Sequence, residues 1–299
     1  MKRFAVIVPV YQSQATLAAC LTSLAAQRFS DFDVVLVDSS PGEACLRIAE
    51  KFDFHLIRPG KRLWMHEARR LGIESSQSEF IVFSDPDCIA APDWLERIDD
   101  AIGQGHDLIG GAIACWPEGY WQQVAHQIKF WLWQPGIAPR SFRQPPFDSL
   151  ASANMAIRRT WYDRVGGLDA RMISADTLIC YQSAQSGVAP FFQSHAVVSH
   201  IHGPITLRAL LRERWSRSQD FFRMRSRQWR RPHACRVLFL LGWPFLVLRM
   251  LGWRALHAVR TRTLNAFLAA LPWIALCECA WMLGQTLAAT RLPKPGRRA

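Results

Sequence analysis

An α/β fold, with a mostly parallel sheet flanked by helices and hydrophobic helices added at the C-terminus, is what this 299-residue chain predicts. Three observations carry it. Apolar runs of strand length alternate four times with helical periods before residue 85, the pattern of a parallel sheet covered on both faces. Two of those runs end in carboxylates, where open α/β sheets place their ligands. The charge is also divided. Residues 1–207 hold 18 Lys and Arg against 21 Asp and Glu, a balance of −3, whereas residues 208–299 hold 18 against 3, a balance of +15. A chain of this length can bury one full α/β core and still carry an appendage.

Each element has a local reason. Phe4 to Val10 is continuously apolar, as a strand buried on both faces must be. Ala15, Leu17, Ala18, Leu21, Leu24 and Ala25 follow at helical spacing, with Ser13 as the expected cap. Asp33 to Asp38 is a second buried strand, closed by a carboxylate and broken by Pro41-Gly42. A helix near Glu43 to Lys51, a strand near Phe54 to Arg58 and a helix over Trp64 to Ser75 come next. The strand Phe80 to Ser84 then runs into Asp85-Pro86-Asp87.

Asp85 and Asp87 lie two residues apart at a strand's carboxyl end, and Pro86 fixes one φ angle between them. Hard carboxylate oxygens there suit Mg²⁺ or Mn²⁺, which bind through one or two carboxylates plus substrate phosphates. Asp-Pro-Asp is equally a turn composition, so the metal reading draws on its surroundings.

Those surroundings resemble the family-2 glycosyltransferases of the glycosyltransferase-A fold. Pro9-Val10-Tyr11 matches the family's Pro-x-Tyr after the first strand, and Asp38 its acidic end of the second. Ala68-Arg69-Arg70-Leu71-Gly72 stands for Ala-Arg-Asn-x-Gly, Asp85-Pro86-Asp87 for Asp-x-Asp, and Pro92-Asp93-Trp94-Leu95 for the helix start beyond it. The resemblance implies a nucleotide-diphosphate sugar donor, with Pro9, Tyr11, Asp38, Arg69, Asp85 and Asn154 around it. Either the base lies against Tyr11 with Asp38 accepting from ring or ribose, or Tyr11 closes the sheet and Asp38 caps a helix. Arg69 either faces the diphosphate, anchors the carboxylates or is a surface charge.

The resemblance resumes at Asn154-Met155-Ala156-Ile157-Arg158-Arg159 and at Gly166-Gly167-Leu168-Asp169. Where the family has Glu-Asp, this chain has Ala175-Asp176, and the later acidic position is Leu178. The resemblance implies Asp176 as the catalytic base; the alternative is a first-turn carboxylate behind a Ser174 cap. His200-Ile201-His202 ends a further apolar strand, and alternation puts both imidazoles on one face, near enough to serve the metal or diphosphate, with His202 expected to join Asp85 and Asp87 at the metal and a structural pair as the other reading. Leu211-Arg212-Glu213-Arg214-Trp215 resembles the Gln-x-x-Arg-Trp of membrane-bound sugar synthases, which implies Arg214 at the leaving diphosphate and Trp215 at the acceptor. An ordinary basic amphipathic helix is the other reading.

Between these motifs, the aromatic segment Trp116 to Trp133 is read as core packing, with a membrane-interface helix or an acceptor groove as alternatives. Pro135 to Pro146 reads as a loop able to act as a lid. Apart from Cys277 and Cys279, which lie inside an apolar run, the eight cysteines lack pairs at metal-ligand spacing, and all read as reduced core thiols of a cytosol-facing protein. Phe4 to Val10 is too short an apolar run for a signal peptide.

The expected division is a catalytic domain over 1–207, a basic collar over 208–236, a membrane-associated hairpin over 237–289 and a basic tail over 290–299. Basic charge beside apolar runs points to anionic membrane lipids rather than nucleic acid. The resemblance implies metal-dependent inverting sugar transfer to a lipid-linked or glycan acceptor, and the charge adds the expectation of a catalytic domain on the cytosolic side of the cell inner membrane. A catalytically weak membrane scaffold and a nucleotidyltransferase on a related sheet are the alternatives. The second wants a Gly-rich loop after the first strand, and Tyr11-Gln12-Ser13-Gln14 has no glycine.

Overall fold

The computed structural model describes residues 1–117, 119–142, 149–169, 172–226, 237 and 239–290. Parts of three expected segments lie outside the described residues: 143–146 of the loop, 227–236 of the collar and 291–299 of the tail. In chain order the elements are β1 (Phe4–Val10), α1 (Leu17–Ala25), β2 (Phe32–Asp38), α2 (Ala44–Ala49), β3 (His55–Ile57), α3 (Met65–Glu74) and β4 (Phe80–Ser84). Then come β5 (Cys88–Ala90), α4 (Trp94–Gly103), β6 (Leu108–Cys115), α5 (Tyr120–Lys129), β7 (Arg140–Ser141), β8 (Asn154–Arg158), α6 (Arg159–Arg164), α7 (Ala175–Gln185) and β9 (Phe191–His200). Three long helices close the chain: α8 (Leu207–Ser226), α9 (Trp243–Arg260) and α10 (Leu264–Thr290).

Two compact units result, one of Met1–Pro117 with Leu132–Ile201, the other of Glu118–Trp131 with His202–Ala299. The helix α5 thus belongs with the C-terminal helices, and the sheet unit ends at Ile201 rather than at residue 207.

The first unit is the expected α/β sheet flanked by helices, in the order β3-β2-β1-β4-β8-β6-β9-β5, with β7 on β9. Its first half is parallel, β1 lying between β2 and β4. Its second half is mixed, because β8 runs antiparallel between β4 and β6. Every residue of β1 and β4 is buried, so the continuous apolar runs reflect cover on both faces. Pro9 sits in a central strand without harm. The ladder from β1 to β4 ends at the Ile7–Phe83 pair, so the missing N–H falls beyond it.

Helix α1 buries Leu17, Cys20, Leu21 and Leu24 on one face. Its N-cap is Thr16 rather than Ser13; the Ser13 carbonyl accepts from the Leu17 N–H at 2.9 Å, so Ser13 belongs to the turn before the helix.

The sheet's middle is tied by one amide. Asn154 Nδ2 donates to the carbonyls of Ala112 and Ala196, both at 2.9 Å, and its Oδ1 accepts from the Trp94 indole at 2.8 Å. That contact needs glycine at 111. A Cβ there would lie 2.0 Å from the Ala196 carbonyl oxygen and 2.3 Å from Asn154 Nδ2.

In the second unit α5 lies against α10. The Tyr120 hydroxyl donates to the Ala269 carbonyl and accepts from the Trp273 indole, both at 2.8 Å. Trp121 stands 5.1 Å from Trp273, ring centre to ring centre. The aromatic stripe is packing, as expected, and its partner is the C-terminal helix. Among the described residues α10 is the one helix long and apolar enough to cross a membrane.

Candidate active site

The two carboxylates of Asp85-Pro86-Asp87 leave the end of β4 in different company. Asp85 Oδ1 meets Arg69 Nη2 at 2.5 Å. Arg69, on α3, has no exposed surface. It donates onward to Ser152, from Nη1 to Oγ at 2.8 Å and from Nη2 to the carbonyl at 3.2 Å. The Ser152 hydroxyl and N–H both donate to Asp176 Oδ2 at 3.1 Å. Asp176 Oδ1 accepts from the Thr177 N–H at 2.8 Å.

A relay of hydrogen bonds, Asp85–Arg69–Ser152–Asp176, therefore joins the end of β4 to the start of α7. Of the roles open to Arg69, the structure gives it the anchoring of a carboxylate. Asp176 also sits in the first turn behind the Ser174 cap, as the alternative reading of that position expects, and the partial positive charge of the helix N-terminus faces it.

Asp87 faces an imidazole. Its Oδ2 lies 3.5 Å from His200 Nε2, and its carbonyl accepts from the Ile201 N–H at 2.8 Å. The imidazole at Asp87 is thus His200, the last residue of β9. His202, expected at the metal, is buried in the helical unit with its Nε2 3.2 Å from His126 Nδ1. The carboxylate oxygen suits Mn²⁺ or Mg²⁺, whereas the imidazole nitrogen is a softer ligand that favours a transition-metal ion over Mg²⁺. Cys88 Sγ is 4.0 Å from Asp87 Oδ1, but burial and then the two aspartates push its thiol well up, so it does not offer a thiolate.

The carboxyl ends of β1 and β2 enclose a pocket of about 440 Å³ lined by Tyr11, Asp38, Ser40, Gly42, Arg58 and Arg62. Asp38 is 2% exposed. Its Oδ1 accepts from the Ser40 N–H at 2.9 Å, while Oδ2 has no hydrogen-bond partner and lies 3.6 Å from Arg58 Nε. A buried carboxylate oxygen without a donor is costly unless a ligand supplies one. The Arg62 guanidinium lies 4.6 Å over the Tyr11 ring and 4.9 Å over Trp64.

A larger groove of about 930 Å³ is lined by Leu63, Trp64, His66, Arg70, Met172 and Ile173. His66 is buried, its Nε2 3.4 Å from the Ile173 carbonyl and its Nδ1 unpartnered. Burial and then the nearby Arg69 charge hold its pKa below the usual imidazole value.

Residues 5–166 match the model of "Glycosyl transferase family 2". The chain belongs to that family. Among curated relatives, the "Glycosyltransferase AglE" of Haloferax volcanii is 30% identical over 116 residues, 36% of this chain and 38% of the relative. A "PGL/p-HBAD biosynthesis glycosyltransferase" of Mycobacterium bovis is 31% identical over 121 residues, 37% of this chain and 46% of the relative. The "Poly(ribitol-phosphate) beta-N-acetylglucosaminyltransferase TarS" of Staphylococcus aureus is 33% identical over 113 residues, covering 36% and 20%. The matched segments span less than half the length of each of these relatives. In fold, the family member is similar to "Mannosyltransferase PcManGT from Pyrobaculum calidifontis in complex with GDP-Man and Mn2+". The TM-score is 0.63 at 19% identity, over 97% of this chain and 87% of that one.

Besides His202, two of the expected site residues are employed elsewhere. Asn154, expected at the donor, spends its amide on Trp94, Ala112 and Ala196 inside the sheet. Arg214, expected at the diphosphate, meets Glu278 Oε1 at 3.2 Å and lies 4.0 Å over the Trp281 ring in the helical unit. Trp215, beside it on α8, is 36% exposed. Sequence reasoning did not single out Ser152, Arg58 or Arg62. No local pattern marks Ser152, since its role exists only where Arg69 and Asp176 converge on it.

Proposed function

We propose that this family 2 glycosyltransferase moves a sugar from a nucleotide-diphosphate donor, with inversion, to a lipid-linked or glycan acceptor at the cytosolic face of the cell inner membrane. The observation that carries the reading is the Asp85–Arg69–Ser152–Asp176 relay. It holds a strand-end carboxylate and a helix-start carboxylate in one fixed frame, as a reaction with a charged leaving group and a proton acceptor requires.

The pocket at Tyr11 and Asp38 takes the nucleoside. The unpartnered Asp38 oxygen accepts from a base or ribose donor, and the base stacks on Tyr11 once Arg62 leaves its face. Asp85, Asp87 and His200 are the residues that would hold Mg²⁺ or Mn²⁺, the latter being the ion named with the mannosyltransferase of similar fold. Bound there, the cation would offset negative charge on the departing diphosphate. Arg69 keeps Asp85 aimed. Asp176 takes the proton of the acceptor hydroxyl, and its two backbone N–H partners keep it in place. The groove lined by His66, Met172 and Ile173 lies beside both Arg69 and Asp176 in sequence and offers the acceptor a largely apolar wall. The catalytically weak scaffold retains one observation in its favour: Ala175, where relatives place a glutamate, is fully buried and brings no polar group.

The test is turnover and binding with the full chain, Mn²⁺ and a panel of uridine, guanosine and thymidine diphosphate sugars. Asp176→Asn should keep donor affinity and lose about 10²–10⁴-fold in turnover. Asp87→Ala should lose the metal-dependent part of nucleotide binding. Wild-type protein that neither binds a nucleoside diphosphate nor turns over any of these donors would end the proposal.

A further inference from the structure

The helical unit is built inside out for a protein in water. Helix α9 turns Phe245, Leu248, Leu256 and Val259 outward, at 67%, 68%, 60% and 59% exposure. Their spacing puts them on one face. The opposite face carries Arg254, only 3% exposed. Its Nη2 meets Glu278 Oε1 at 2.5 Å, and the same oxygen meets Arg214 Nη2 at 3.2 Å. Arg254 Nη1 also donates to the Gln127 carbonyl at 2.9 Å, in the last turn of α5. Helix α10 repeats the pattern, with Leu268, Leu276 and Leu283 outward and Glu278 and Gln285 each 1% exposed within.

In water both halves of this arrangement are unfavourable, since apolar surface stays wet and ions are stripped of hydration. Against hydrocarbon the signs change. Outward leucines are then matched to their surroundings, and every interior charge must find a protein partner, as these three do. The packing of α8 on α10 has the same character. A Cβ on Gly284 would stand 2.1 Å from Ser218 Oγ and 2.9 Å from the Trp215 carbonyl, a backbone approach that small residues allow.

Charge names the kind of surface. Arg249 and Arg260 are exposed and fall together on one flank of the outward face of α9, and Arg262 is exposed in the turn to α10. Cations bordering an apolar face match phosphate headgroups above acyl chains. A hairpin spanning the bilayer would have to carry Arg260 and Arg262 through it.

We propose that the helical unit is a monotopic membrane domain. The outward face of α9 lies among the acyl chains of one anionic leaflet, Arg249 and Arg260 reach its phosphates, and the Arg214–Glu278–Arg254 triad is the ion-paired strut of the lipid-embedded interior. This rests on the membrane location proposed above and narrows it to one face, one leaflet and one lipid charge.

The test uses the full chain and flotation on vesicles of phosphatidylglycerol with phosphatidylcholine, or of phosphatidylcholine alone. Wild type should stay with the anionic vesicles in about 1 M NaCl, where exposed charge alone is screened. Leu248→Glu with Leu256→Glu changes two exposed side chains, and partitioning should fall by about a hundredfold or more at unchanged melting temperature. Arg249→Glu with Arg260→Glu should abolish the preference for anionic vesicles. The proposal is overturned by release of wild type in high salt, by unaltered partitioning of the leucine double variant, or by an effect of that variant on self-association alone. Nucleoside diphosphate binding measured on the same samples separates the two readings: retained binding with lost flotation leaves the donor site standing, and the reverse leaves the membrane face standing.

Discussion

Replacing Arg69 with methionine removes the charge at the centre of the relay while keeping most of the side chain's length. Arg69 is wholly buried, and its partner Asp85 has 21% of its side chain exposed. Deleting one member of a buried ion pair costs about 3–5 kcal/mol, because the other is left uncompensated. Water reaching Asp85 recovers part of that, whereas the two hydrogen bonds to buried Ser152 add about 1 kcal/mol each. Methionine fills the stem, so little cavity is added. The net expectation is a loss of about 3–5 kcal/mol in equilibrium urea unfolding at unchanged m-value, with weakened nucleoside diphosphate binding. Arg69→Lys should recover part of the stability and little of the binding, since an ammonium cannot reproduce the planar fork. A loss below about 1 kcal/mol for Arg69→Met, together with unaltered binding, would refute the assignment of Arg69 as the anchor of the site.

Three further outcomes follow from the same geometry. Gly111→Ala drives a Cβ into the Ala196 carbonyl, a backbone atom that cannot swing aside, and should lower stability by about 1–3 kcal/mol or more, read as a shift in the urea midpoint. Asp38→Ala should abolish nucleoside binding measured by calorimetry, and it also removes the Oδ1 that accepts from the Ser40 N–H and the pairing of Oδ2 with Arg58, so unfolding should shift by about 1 kcal/mol as well. His66 has a folded pKa below its unfolded value of 6.5, so the unfolded chain binds more protons between the two. Its contribution to stability is complete above pH 6.5 and falls as pH drops from there toward the folded value. His66→Gln should flatten that part of the stability–pH curve, and an unchanged slope would remove His66 from the account.

What the sequence disclosed and what it withheld divide along physical lines. Strand-end carboxylates are local events, so Asp38, Asp85 and Asp87 could be placed from runs of apolar residues and the breaks after them. The parallel first half of the sheet was legible because βαβ units write themselves as alternating periods. The direction of β8 was not, since Asn-Met-Ala-Ile reads the same in an antiparallel strand. Asn154 shows the limit of a motif: its position matches, but the structure assigns its amide to Trp94 and two sheet carbonyls. The exchange of His200 for His202 turns on where the strand stops, and β9 stops at His200. No local pattern pairs Arg254 with Glu278; only the packing of α9 on α10 brings the two together.

The place of β8 in the sheet has a kinetic consequence. Strand β4 offers its hydrogen-bonding edge to Asn154–Arg158, and Arg69 waits for a serine 83 positions downstream. On the ribosome, at roughly 5–20 residues per second, β4 would emerge several seconds before its neighbour is synthesised. For that interval Phe80 to Phe83 form an unpaired apolar edge, a template for pairing with another nascent chain. Loop closure over such a distance is slow as well. Newly made protein should therefore be most prone to aggregate when translation pauses between β6 and β8, and a ribosome-stalled fragment ending near residue 117 should bind holdase chaperones more strongly than one ending past residue 201.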